Sequence, residues 1–160
     1  MGIAENCRLS KWPASLKVLA TCFIVTLVIG YVVSLLQVYF RAGVIFSQVI
    51  AHYRGDETGQ DPLLLPQTFT TLLSVAHVHT FSQPLLFALL GLIFVFSERS
   101  EKTKGLLIVA GFAGSLVSNA APWLIRYTHP QTVLLLPLSQ VAIAVSILVM
   151  SYVSLREMWR

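Results

Sequence analysis

Residues 18–40 read VLATCFIVTLVIGYVVSLLQVYF, without one charged side chain. A helix rises about 1.5 Å per residue, so this stretch alone crosses the ~30 Å hydrocarbon layer of a bilayer. Working outward, the same test picks out three more charge-free runs, at 62–97, 105–125 and 127–155. A chain that is 56% hydrophobic and 11% charged lies far outside the balance of a soluble domain. The expected fold is therefore all-α: an integral membrane four-helix bundle forming a single domain over 1–160, with helices at about 13–41, 66–97, 104–127 and 130–156.

Lys11 and Lys17 precede the first run as they would a signal peptide, but the run is about twice a usual h-region and no small-x-small cleavage site follows, so an uncleaved anchor is expected. Arg8, Lys11, Lys17, Arg99, Lys102, Lys104, Arg156 and Arg160 fall on one side of the four spans. Arg41, Arg54 and Arg126 fall on the other, beside Asp56, Glu57 and Asp61. The excess places both termini in the cytoplasm, in a multi-pass protein of a bacterial inner membrane. The basic balance is thus a topology signal, and nothing argues for nucleic acid. Cys7 and Cys22 form no C-x-x-C or C-x-x-C-H pattern, which leaves covalent haem and thiol redox chemistry unsupported.

Pro13 suits the start of the first helix. Beyond Arg41, AGVIFSQVIAHYRGDE keeps a helical period and ends at Gly55, so residues 42–54 form an amphipathic segment: an outward continuation of the first helix, or a surface helix hinged near Gly43. Pro84 and Pro137 are kink candidates. Small residues at Ala110, Gly111, Gly114, Ser115 and Ser118 on the third helix let a neighbouring backbone approach closely.

The polar residues of the spans gather toward the outer side. Counted from Ser97, His79 lies ~27 Å and His77 ~30 Å from the cytoplasmic boundary, at the outer edge of the hydrocarbon. Gln37, Gln83, Asn119, Ser139 and Gln140 fall in the same half, with Arg126 and His129 beyond them. Buried polar groups in lipid cost free energy unless satisfied, so a cluster drawn from several helices implies that they bond one another or something held between them. His77 and His79 are two apart, about 200° round a helix, and serve different faces. They make a poor chelate together, but one can ligate while the other does something else.

A haem b needs an imidazole from each of two facing helices. His77 or His79 is one candidate ligand, and His129, or failing that His52, is the second. A quinone is the related case, with histidine, Gln83, Asn119 or Gln140 donating to its oxygens. A third is a metal ion held by His52, His77 or His79, and His129. Against all three stands the plain alternative that membrane amides and histidines glue helices together, and that Arg126 and His129 meet lipid headgroups.

The stretches AHYRGDE, TFTTLLSVAHVHTFSQPLLFALLGLIF and ERSEKTKGLLI resemble a family of small, uncharacterised four-helix bacterial membrane proteins, over most of residues 50–130. The H-x-H of His77 and His79 also resembles the H-V-H or H-A-H of the haem-copper oxidase catalytic subunit. That second resemblance implies only that one of the two binds haem, since the chain has too few helices and histidines for such an oxidase.

The expected function is a small subunit of a bacterial respiratory or electron-transfer complex, holding haem b or quinone near the periplasmic side. Its partners would be other membrane subunits and a periplasmic redox protein such as a c-type cytochrome. The alternative is a non-catalytic anchor or assembly subunit docking a larger partner. Pairing of two copies as a homo-oligomer stays open. No nucleophile, acid pair or phosphate loop marks a stand-alone enzyme.

Overall fold

The computed structural model describes residues 8–56 and 64–160. Among them every regular element is helical: α1 (Ala14–Ala42), α2 (Phe46–Arg54), α3 (Phe69–Phe94), α4 (Glu101–Tyr127) and α5 (Leu135–Met158), with short 3-10 turns at Leu9–Lys11 and Pro130–Leu134. Four spans among the described residues are long and apolar enough to cross a membrane: α1, α3, α4 and the run Pro130–Met158 that contains α5. Part of the acidic loop expected after α2 lies outside the described residues, as does Cys7.

Local chemistry sets the helix ends. Pro13 stands at the N-cap of α1, so the helix proper opens at Ala14. Gly43 closes α1 and Gly55 closes α2, at φ 76° and 80°, a left-handed geometry that glycine adopts without a Cβ clash. The helix thus breaks at Gly43, and α2 is separate. Thr68 Oγ1 accepts from Thr71 N at 3.2 Å and starts α3 three residues later than the expected Pro66. Ser100 does the same for α4, with Oγ accepting from Thr103 N at 3.3 Å, and Glu101 in the first turn favours the helix dipole. That helix therefore starts before Lys104. Pro137 falls in the first turn of α5, where no intrahelical N–H is required, so it has no kink to make. Pro84 and Pro122 lie inside α3 and α4.

The most extensive seam among the described residues is α4 on α5. A Cβ added at Gly114 would lie 3.1 Å from both Ile143 Cγ1 and the Ser139 carbonyl oxygen. Because lipid tails are as apolar as leucine, helices in a membrane associate by such close contact more than by exclusion of water. Ser146, Ser151 and Ser154 are buried on α5 with hydroxyls that bond nothing among the described residues, so what they contribute there is small size. Gly111 serves α3, since a Cβ there would come within 2.5 Å of Phe87 Cε1.

At the end of the bundle that carries Leu9 and Trp159, Leu9 packs with Phe94, Met150 and Met158 in one core that also holds Ala20 and Ile24. Ion pairs ring it: Arg8 with Glu98 at 3.0 Å and Arg99 with Glu157 at 3.7 Å. Trp159 Nε1 donates to Thr21 Oγ1 at 3.0 Å, tying the C-terminus to α1. At the opposite end, Val49 of α2 is buried with Ala42, Ile125 and Val133. Arg54 Nη1 donates to the Ile125 carbonyl at 3.2 Å. Between these two ends α1 buries nothing from Val25 to Arg41.

Candidate functional site: a cavity between α1, α3 and α5

Where α1 stands off, a half-open cavity of about 380 Å³ remains. From α1 it is walled by Phe23, Thr26, Leu27, Gly30, Tyr31 and Ser34, from α3 by His79, Ser82, Gln83, Leu86 and Phe87, and from α5 by Gln140, Ile143 and Ile147. Tyr31, His79, Gln83 and Gln140 sit toward the α2 end of the bundle, and Thr26 lies further from it beside Leu27. Phe23, Leu27, Leu86, Phe87, Ile143 and Ile147 make the other end apolar. Gly30 leaves room by having no side chain, as a Cβ there would meet nothing within 4 Å.

Behind the wall, α4 satisfies the amides. Gln83 Oε1 accepts from Ser115 Oγ at 2.7 Å and from Asn119 Nδ2 at 3.0 Å. Gln83 Nε2 lies 3.4 Å from His79 Nδ1. Gln140 Nε2 donates to Ser118 Oγ at 3.0 Å. Tyr31 Oη donates across the cavity mouth to the Gln140 carbonyl at 3.1 Å, with Gln140 Oε1 at 3.4 Å. Side chains from four helices therefore meet at one level. By helical rise these groups lie ~12–21 Å short of the α2-end termini of α1, α3 and α4. Phe69, Trp123 and Tyr127 stack edge-on or tilted at those termini, as aromatic residues do at an interface. The cluster thus lies inside the helix ends that these aromatic residues mark.

Of the residues expected at the site, His79, Gln83, Asn119 and Gln140 are brought together. His77 is not. It is exposed on another face of α3, with its ring edge-on to Phe81 at 5.3 Å. His129 caps the turn before α5, its Nδ1 accepting from Gln131 N at 3.2 Å. His52 lies on α2, its ring against Tyr53 at 4.9 Å. Its own burial, and secondly the charge of Arg41, lower its pKa from the ordinary 6.5. Burial likewise raises that of Tyr53. Arg126 donates through Nε to the Gln67 carbonyl at 3.2 Å and lies over the Tyr127 ring. Gln37 is exposed.

No three of the described His, Cys, Asp and Glu residues gather as a metal site. A haem spanning His79 and His129 would need the second ring on the same cavity, and of the four histidines only His79 lines it. Tyr31, Ser115 and Ser118 are the site residues that sequence reasoning missed. A tyrosine in mid-span opposite an amide was the available signal for the first. By sequence alone the two serines count only as small residues for packing.

Residues 43–160 match a family model described as a transmembrane helical domain, a stretch that includes His79, Gln83, Asn119 and Gln140 but not α1. No curated protein matches the chain, and no solved structure does.

Proposed function

The chain belongs to the Aq_1264_TM family of transmembrane helical domains, and on that premise we propose that this multi-pass membrane protein holds the head group of a lipid-soluble quinone in the cavity between α1, α3 and α5. One observation carries the proposal: a single cavity has amide and imidazole groups at one end and, Thr26 apart, only apolar side chains at the other. A quinone presents two carbonyl acceptors on a flat ring and an apolar tail, and so matches both ends. Gln83 Nε2 and Gln140 Nε2 each have two hydrogens and use one on the protein, leaving the second for a carbonyl. No carboxylate among the described residues lines the cavity, which favours a neutral acceptor over a cation.

In this role the protein is a subunit of a bacterial inner-membrane electron-transfer assembly, termini in the cytoplasm as its Lys and Arg distribution supports. It passes electrons between the quinone pool and a periplasmic redox protein such as a c-type cytochrome. Haem b is the less supported cofactor, because a bis-histidine haem needs two facing rings. A second reading is a non-catalytic anchor, supported by the small-residue face of α4 at Gly111, Gly114 and Ser115.

The test is a titration of the purified protein in lipid nanodiscs with decyl-ubiquinone. Saturable binding weakened about tenfold by His79→Leu, the effect of one unmade buried hydrogen bond, is expected. Absence of saturable binding by the folded protein would overturn the proposal.

A further inference from the structure

The two ends of the cavity differ in what lies beyond them, and the consequence drawn from that difference rests on the quinone reading. Past Phe23, Phe87 and Ile147 the core holds Ile24, Leu90, Phe94 and Met150, all wholly buried. No hydrogen-bonded relay crosses this plug among the described residues. Thr26 spends its hydrogen on the Cys22 carbonyl of its own helix, and the hydroxyls of Ser146, Ser151 and Ser154 are buried without partners. That end offers water no route.

Toward α2 the wall is of another kind. A helix turns about 100° per residue, which sets Gln37 about 60° and Arg41 about 20° from the cavity-lining Ser34, both to the side on which Gly30 lies. Ser34, Gln37 and Arg41 thus form a polar stripe that continues the cavity face of α1 for ~10 Å toward α2. All three are exposed, since α1 buries nothing from Val25 to Arg41. A guanidinium and an amide on that face draw water into a gap that apolar side chains would leave to lipid.

We propose that Ser34, Gln37 and Arg41 line a water-filled passage that opens the cavity to the α2 side alone, so that the protons of a bound quinone exchange on that side. For each quinol oxidised, two O–H bonds break and two electrons pass to two molecules of the oxidised one-electron redox protein. The two protons leave through the water along the stripe.

The experiment places single cysteines in the full chain in sealed vesicles, on a Cys7→Ser, Cys22→Ser background, and follows their reaction with a charged thiosulfonate that does not cross the bilayer. Ser47→Cys on α2 and Lys102→Cys at the opposite end, both exposed positions, report which side the reagent reaches. Ser34→Cys should react when the reagent reaches Ser47→Cys and stay unreacted when it reaches only Lys102→Cys. The reaction should be lost under saturating decyl-ubiquinone, and mostly lost when Gln37→Leu is added. If Ser34→Cys fails to fold, Gln37→Cys gives the same reading of side. No reaction from either side, equal reaction from both, or an unchanged rate with Gln37→Leu overturns the passage and leaves quinone binding, read by titration in nanodiscs, standing. Reaction from the α2 side that decyl-ubiquinone does not slow overturns the quinone reading, and the proton exchange with it.

Discussion

The seam between α4 and α5 and the gap beside α1 are built from the same apolar alphabet, yet one is closed and the other open. At Gly114 two helices approach until a single added carbon would press on a backbone carbonyl. At Gly30 an equally bare backbone faces empty space. The difference lies in the partner. Opposite Gly114 stand Ser139, Ala142 and Ile143, two of them small, whereas the gap beside Gly30 is edged by Phe23, Tyr31, Phe87 and Gln140. Around Gly114 the facing groups come close enough to fill the space, and around Gly30 they stand off. In lipid, where burial of apolar surface between helices brings little gain, this choice of shape decides where a bundle is solid and where it can hold a guest.

Gly114→Leu should open the closed seam at the largest loss of stability. Its side chain has to displace the Ser139 backbone, and a loss of about 3 kcal/mol, read from unfolding in mixed detergent micelles, is expected. Gly30→Leu should cost almost nothing in the same assay, because it fills vacant volume. A smaller effect, about 1 kcal/mol, is expected for Gly111→Ala. Its methyl group meets the outer edge of the Phe87 ring, which can turn into the cavity, so quinone affinity should fall along with stability. Tyr31→Phe removes the bond across the gap. It should cost about 0.6 kcal/mol, the mean for a hydrogen bond between membrane helices.

The smallest effect is a pH dependence at α2. The His52 pKa is lower in the folded protein than the ordinary 6.5. The unfolded chain then takes up the proton first as pH falls. The folded state is therefore fully favoured above 6.5 and loses stability as the pH drops from 6.5 toward the lowered folded value. Thermal melts across that window should show the slope, and His52→Gln should flatten it.

Much of this is legible in the sequence. Four charge-free runs of sufficient length fix the spans, because charges are excluded from hydrocarbon whatever the packing. The opposite faces of His77 and His79 follow from 100° per residue. The gathering of Gln83, Asn119 and Gln140 is foreseeable from their shared depth. What depth cannot supply is direction, so depth alone pairs His129 with the wrong neighbours. A histidine just before Pro130 at a helix start is placed to cap, and its Nδ1 does so. Tyr31, Ser115 and Ser118 stay hidden for the opposite reason. Each is ordinary in a span, and only the partner across the gap or seam gives it a role. Pro137 suggests a kink by residue type, whereas its position in the first turn of α5 decides its effect.

The most direct test is to fill the cavity and leave every polar group in place. Gly30→Phe adds a ring at the cavity wall, at a position where a Cβ meets nothing within 4 Å, and removes none of the groups on His79, Gln83 and Gln140. Titrated with decyl-ubiquinone in nanodiscs, this variant should fold as the wild type does and lose saturable binding. Binding that survives with unchanged affinity would show that quinone is held elsewhere, and the assignment of this cavity would be wrong.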